Sequence, residues 1–486
     1  MELTLADLRP LLPILITTAT SVVVMLAIAI RRHYAATVSL AIVGLLLAAI
    51  AALILLPSTN QQVTPLLLID GYSLFFTAII CSLAFFVAIF SFPYLHGLND
   101  QREEFVLLLT VATIGAIVLA SSNHFVSTII GMETLSMSLY GMVAYPLHCK
   151  ESAKFPLEAS VKYLILSAVA TGLMLFGMAL AYAQTGTLSF ADLLQPASRM
   201  SDSISQLAII LIVAGMAFKL SLAPFHMWTP DVYEGAPIPA TTYLATVGKA
   251  SMVVVLLRFV EQSNGLAFES VTAAISLVAA LSIIGGNLLA LMQDNLKRIL
   301  AYSSIAHMGY LLIALLATYF ADGTVSIEAV SFYLLAYVIM SLGAFGVTSV
   351  VSASDKEFDA ISDFTGLFWR APWLAAIFTG MLLSLAGIPL TIGFIGKFYL
   401  FAAGVEAGLW VLVAVLILGS GIGLYYYLRI VYRMLLPEDG HADFRIAGAE
   451  SISSYGVLAI LFLLLIVLGV YPGPIMDLLV TLSAAV

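Results

Sequence analysis

Apolar residues along the chain come in long runs, at about 10–30, 36–56, 72–95, 105–121, 125–145, 157–184, 206–225, 238–260, 270–292, 297–319, 327–352, 371–402, 407–433 and 454–472. Most have the length an α-helix needs to cross the ~30 Å hydrocarbon core of a bilayer, about 20 residues. Short alternating segments, the mark of a membrane β-barrel, are not visible. The pattern predicts an all-α polytopic membrane protein with about 14 transmembrane helices.

Composition narrows the function classes. Of 486 residues, 62% are hydrophobic and only 10% charged, too few charges to coat a soluble protein of this size. No polar segment runs much beyond ~20 residues, so a soluble catalytic domain is not expected. Cys81 and Cys149 lie in or beside apolar stretches and read as packing residues, not as a disulfide framework. No Cys/His cluster offers a metal site and no glycine-rich strand–helix motif a nucleotide site. A net charge of −9 argues against a nucleic-acid partner.

The basic residues set an orientation. One set of alternating loops holds Arg31, Arg32, Arg102, Lys150, Lys154, Lys297, Arg298, Lys356, Arg370, Arg429, Arg433 and Arg445, twelve in all; the other holds Arg9, Arg199 and Arg258. By the positive-inside rule the first set is cytoplasmic, and both termini are expected on the outer side. Four of the 19 basic residues remain, Lys162, Lys219, Lys249 and Lys397, all within apolar runs.

A lysine at mid-membrane costs ~2.5–3.5 kcal/mol on insertion scales, so these groups must face protein, water or each other. Glu133 lies in a similar setting, in STIIGMETLSMSLYG. Snorkelling or a static ion pair is the structural alternative, and snorkelling suits Lys162, near the end of its run. For the others a proton relay is the sharper reading. Desolvation disfavours the charged form of an amine and a nearby carboxylate restores it, so a Glu–Lys pair that is made and broken switches a proton affinity. Lysine suits this role because arginine does not deprotonate. His307, mid-run in AYSSIAHMGY, can extend such a chain, and His226 either joins it or marks a helix end. Asp231 and Glu234, in TPDVYEGAP, read as a loop that is solvated, capping or in contact with another subunit. Asp70 reads as a helix cap. Tyr425, Tyr426 and Tyr427 line helix contacts or hydrate a path.

Two helices are expected to be broken. Pro224 follows Lys219 by five residues and Pro389 precedes Lys397 by eight. Proline removes a backbone hydrogen bond, and in a membrane this is tolerated where protein or cavity water satisfies the freed groups. The breaks share sequence: Leu220-Ser221-Leu222-Ala223-Pro224 resembles Leu383-Ser384-Leu385-Ala386-Gly387-Ile388-Pro389, with the prolines 165 residues apart. The fourth and ninth runs start with the same offset. We therefore read residues 1–100 as three leading helices, 101–262 and 263–435 as two five-helix repeats, and 436–486 as a final helix. An odd number of helices per unit inverts the second repeat, an arrangement found in transporters. No lysine in the thirteenth run corresponds to Lys249.

The stretches FKLSLAPFHMWTPDVYEGAPIPATTYLATVGKA (Phe218 to Ala250), NLKRILAYSSIAHMGYLL (Asn295 to Leu312) and LSLAGIPLTIGFIGKFY (Leu383 to Tyr399) carry a family resemblance. The chain resembles the antiporter-like membrane subunits of respiratory complex I, the proton-translocating NADH:quinone oxidoreductase, through nearly its whole length. The resemblance implies fourteen helices with two inverted units. It implies a relay of Glu133, Lys219 on the broken seventh helix, Lys249, His307 and Lys397. It also implies no cofactor in this chain, with NADH, FMN, iron–sulfur clusters and quinone held by partner subunits. The implied partners are a neighbouring antiporter-like subunit M and small membrane subunits, and the implied location is the bacterial inner membrane. The lysine at 397 and the end of the chain soon after the fourteenth run favour the subunit type without a long lateral helix. A subunit of a multi-subunit cation/proton antiporter or of a membrane-bound hydrogenase is the runner-up. A scaffold with static buried pairs is the alternative from another class.

Overall fold

The computed structural model describes residues 8–56, 61–96, 101–145, 154–193, 202–263, 265–320, 325–352, 357–437 and 452–483. Each apolar run meets a helix or a pair of half-helices. They are α1 (Leu12–Ile30), α2 (Tyr34–Leu55), α3 (Gly71–Leu95), α4 (Arg102–Ala120), α5 (Phe125–Val143) and α6 (Lys154–Thr185). Then come α7 in two halves, α7a (Asp202–Lys219) and α7b (Trp228–Gly235), and α8 (Ile238–Ser263). The order repeats with α9 (Glu269–Leu291), α10 (Leu296–Phe320), α11 (Val325–Val351), α12 as α12a (Pro372–Ala386) and α12b (Ile392–Glu406), and α13 (Trp410–Leu435). α14 (Ile452–Val470) closes the expected set. Among the described residues, eleven helices are individually long and apolar enough to cross a membrane.

The seventh run, expected to reach residue 225, stops as a helix at Lys219, because the chain turns there ahead of Pro224. The sequence runs did not anticipate a two-stranded hairpin of β1 (Gln61–Thr64) and β2 (Leu67–Ile69), or α15 (Gly473–Ser483), which packs on α3 and α11. Cys81 is buried as expected, whereas Cys149, Lys150, Arg199, Lys356 and Arg445 lie outside the described residues.

α8 and α10 are buried along their whole apolar stretch and α11 almost so, while α1, α6, α9, α13 and α14 expose most of theirs. The exposed faces carry leucine, valine and isoleucine, such as Val43, Leu47, Leu277 and Leu418. In water this would be unfavourable; in a bilayer it is the ordinary lipid-facing surface.

Two basic residues assigned to loops belong to this interior. Arg258 is fully buried near the end of α8 and donates from one guanidinium nitrogen to both carboxylate oxygens of Asp70, at 2.8 and 2.9 Å. Asp70 also caps α3, accepting from the Ser73 backbone at 2.7 Å, so the expected cap is present but is only half its role. Lys297 is buried at the start of α10, 2.6 Å from Glu357, and donates to the Ala236 carbonyl. The Ile238 backbone N–H, which opens α8, also donates to Glu357, as does the Tyr94 hydroxyl. Removing one partner of such a buried pair costs ~3–5 kcal/mol, because the other is left uncompensated. A count by sequence cannot separate a loop charge from a buried one.

Asp231 and Glu234 are tied within the chain. Arg298 Nη1 lies 3.0 Å from Asp231 and 2.7 Å from Glu234, and Lys162 lies 2.9 Å from Asp231 and 2.8 Å from Glu158. This web joins α6, α7b and α10. Lys162 is thereby held half-exposed in an ion-pair web between helices. Partial burial alone would raise the Asp231 carboxyl; Lys162 and Arg298 outweigh it and hold the group below its ordinary value.

Candidate functional site: a buried polar axis

The break in α7 places the first lysine. The backbone turns at Ser221, whose φ is 65°, and the Leu222 N–H reaches back to the Ala217 carbonyl at 2.8 Å, a Schellman-type closure. Lys219, the last residue of α7a, is left buried with its ammonium on two hydroxyls, Ser136 Oγ at 2.7 Å and Ser167 Oγ at 2.5 Å. Ser167 also accepts from Tyr140 Oη at 2.6 Å. Glu133, on α5, accepts instead from Thr171 Oγ1 at 2.9 Å. It is half-buried, between the exposed Ile130 and Met137 on its helix. No direct ion pair joins Glu133 to Lys219 among the described residues. Hydroxyls one turn apart on α6, at 167 and 171, stand between them.

The central lysine lies where α8 changes pitch. Leu244–Gly248 forms a π-helical turn immediately before Lys249, and such turns are frequent at functional sites. Lys249 Nζ donates to Ser304 Oγ on α10, and Ser304 shares a hydrogen bond with Tyr337 Oη at 2.5 Å. One turn further along α10, His307 is buried with Nδ1 2.6 Å from Tyr333 Oη and Nε2 3.3 Å from Tyr427 Oη. A neutral imidazole donates from one nitrogen and accepts at the other, so it can join two phenols in series. Tyr427 also bonds Ser303. Of the three tyrosines in α13, Tyr426 and Tyr427 face this interior and Tyr425 is exposed.

The break in α12 places the last lysine. Gly387 turns the chain with φ 91°, and the Ile388 N–H reaches the Leu383 carbonyl at 3.0 Å. The halves fold tightly together: a Cβ on Gly393 would sit 1.9 Å from the Ser384 carbonyl oxygen. Lys397, on α12b, donates back to the carbonyls of Leu385 at 3.0 Å and Ala386 at 2.8 Å, which the break frees. Its ammonium lies 5.4 Å from the centre of the Tyr310 ring, which is 5.6 Å from that of His307. Tyr310 Oη accepts from Asn287 Nδ2 at 2.9 Å.

Lys249, His307 and Lys397 are thus brought into one buried network by Ser304, Tyr337 and Tyr310, and Lys219 has its own hydroxyl pocket. Pro224 and Pro389 lie in the two breaks. His226, between α7a and α7b, is half-buried and its Nδ1 has no partner. Sequence reasoning singled out Tyr427 with its neighbours but missed Ser136, Ser167, Ser304, Tyr310, Tyr333 and Tyr337, whose only signal was polar residues recurring inside apolar runs, as in SSIAH and FYLLAY. Among the described residues, no group of His, Cys, Asp or Glu is arranged to hold a metal ion.

Among the described residues, a bundle of long apolar helices, two of them interrupted beside lysines around a buried polar core, defines an antiporter-like multi-pass membrane protein. The chain belongs to the family described as NADH:quinone oxidoreductase/Mrp antiporter, TM, which matches residues 122–423. It is 45% identical over 475 residues to the NADH-quinone oxidoreductase subunit N of Methylococcus capsulatus, covering 97% of this chain and 94% of that one. It is similar to a chain of respiratory complex I from Thermus thermophilus, solved with bound aureothin, at 31% identity and a TM-score of 0.81, covering 96% of this chain and 98% of that one. A chain of the Mrp complex from Dietzia matches in fold, with a TM-score of 0.84 at 19% identity, covering 99% of this chain and 97% of that one.

Proposed function

We propose that the chain is the subunit N type of antiporter-like subunit in a bacterial NADH:quinone oxidoreductase, and that it moves protons across the inner membrane. The observation that carries this reading is the buried line of amines, hydroxyls and imidazole in an otherwise apolar interior. Lys219 rests on hydroxyls that can donate or accept, so its pocket suits both an ammonium and a neutral amine. Glu133 and Lys219 form the switchable pair, biased by redox-driven changes in neighbouring subunits. The proton then passes through Lys249, His307 and intervening water to Lys397. The half-exposed Glu133, flanked by exposed apolar residues, supports a neighbouring membrane subunit covering that face, since an ionisable group is costly against lipid. NADH, FMN, iron–sulfur clusters and quinone belong to partner subunits, and both termini lie on the periplasmic side. The cation/proton antiporter alternative shares the fold, but the 45% identical relative favours the oxidoreductase.

The test is NADH-driven proton pumping in membrane vesicles holding the assembled complex. Lys219→Ala and Glu133→Ala should each assemble and pump several-fold less per NADH oxidised. Full pumping in both would sink the relay.

A further inference from the structure

Between Lys219 and Lys249 the described hydrogen bonds run out. The segment that spans the gap is α7b with the turn before it, and it carries an unusual set of side chains. Ser221 Oγ, Thr229 Oγ1 and Tyr233 Oη are all buried and all without a hydrogen-bond partner. Thr229 and Tyr233 are four residues apart on α7b and so share one face of it. Buried polar groups are seldom left orphaned, and four in thirteen residues, counting His226 Nδ1, are not expected of a segment whose only role is packing.

Tyr233 is the group that reaches the centre. Its ring centre lies 5.9 Å from Lys249 Nζ, and Ser304, the hydroxyl on which Lys249 rests, also faces the phenol. Phe345 packs edge-on against the ring, at 6.0 Å between centres, and fixes its plane. The phenol is therefore held by its carbon face while its oxygen is turned toward Ser304, an arrangement suited to passing a proton on.

We propose that Tyr233 is a relay group for the central lysine, its hydroxyl joining Lys249 to water held against Thr229 and thence to the α7 break. The inference rests on the proton-relay reading above. In the step, the phenol O–H breaks as its proton goes to the neutral amine of Lys249, directly or through Ser304. A new O–H forms as the oxygen takes a proton from the water on the Thr229 side. That water is replenished from Lys219, which becomes the neutral amine, so the phenol ends as it began.

The experiment compares Tyr233→Phe, Tyr233→His, Thr229→Val, Lys219→Ala and Lys249→Ala in membrane vesicles of the assembled complex. It measures protons moved per NADH oxidised, in H2O and in D2O. Tyr233→Phe keeps the ring, its contact with Phe345 and its approach to Lys249, and loses only the hydroxyl. Pumping should fall several-fold with a larger solvent isotope effect, Thr229→Val should fall in the same direction, and Tyr233→His should restore part of the loss. Wild-type pumping in Tyr233→Phe, alongside loss in the lysine variants, would overturn the Tyr233 assignment alone. Wild-type pumping in the lysine variants would overturn the relay reading itself. A loss that histidine does not relieve, with no change in isotope effect, would mark Tyr233 as packing and also overturn the proposal.

Discussion

At the break in α7 the chain turns on Ser221 with φ 65°, and at the break in α12 on Gly387 with φ 91°. In both, the N–H of the following residue reaches five residues back to close the helix. The lysines are held differently. Lys219 precedes its turn and rests on the hydroxyls of Ser136 and Ser167, which accept from an ammonium or donate to an amine. Lys397 follows its turn and donates to two carbonyls, which only accept. Those carbonyls also form the partially negative C-terminal end of α12a. One backbone device, used twice, thus presents one lysine to an adaptable shell and the other to a fixed one. The difference teaches that one way of breaking a helix can present a lysine to two different chemical shells.

Replacing each lysine by arginine separates the two shells most sharply, because arginine keeps the charge and does not deprotonate. Lys219→Arg should cut NADH-driven pumping by ~10-fold or more, in line with the ~10²–10⁴ that acid–base groups contribute in enzymes. Lys397→Arg also removes a deprotonating group from the relay but retains donors for the carbonyls, so its loss should be the smaller of the two. Equal losses, measured in the same vesicles, would erase the distinction.

The turns themselves come next. Gly387→Ser places a side chain at positive φ, where its Cβ would lie 2.9 Å from Lys397 Cδ, and should destabilise by ~1–3 kcal/mol. Ser221→Gly relieves strain and should be neutral or stabilising by up to ~1 kcal/mol. Thermal dissociation of the assembled complex would read both, and a destabilising Ser221→Gly would show that the serine hydroxyl matters more than its backbone.

The smallest effect is expected at the web beside α7b. Asp231 is held below its ordinary value in the folded state, so its pairs contribute stability above the unfolded-state value. That contribution fades as pH falls through the lowered folded-state value. Asp231→Asn should therefore cost under ~1 kcal/mol near neutrality, since the pair is partly exposed, and should flatten the acid side of the stability profile. α12 has no counterpart of this web among the described ion pairs, so a variant there should leave that profile unchanged.

The helices and the two breaks were legible in the sequence because membrane helices are local: twenty apolar residues, and a proline that interrupts them, act through their own neighbours. Lys219, Lys249 and Lys397 stood out for the same reason. What escaped was pairing at a distance. Arg258 meets Asp70 across 188 positions, and Lys297 meets Glu357 across 60, so both arginine and lysine counted as loop charges. The hydroxyl partners escaped because serine and tyrosine are ordinary residues in apolar helices until a lysine is placed beside them. The π-turn before Lys249 has no proline or glycine pair to announce it beyond Gly248.

The Arg258–Asp70 pair bears on how the chain is made. Synthesis runs from the N-terminus, so Asp70 is in place, capping α3, long before Arg258 emerges. A buried arginine left alone is costly, whereas one that meets a waiting carboxylate does not carry its charge unshielded. The three leading helices hold none of Lys219, Lys249 and Lys397, yet through Asp70 they supply the carboxylate on which α8, the helix of Lys249, seats its arginine.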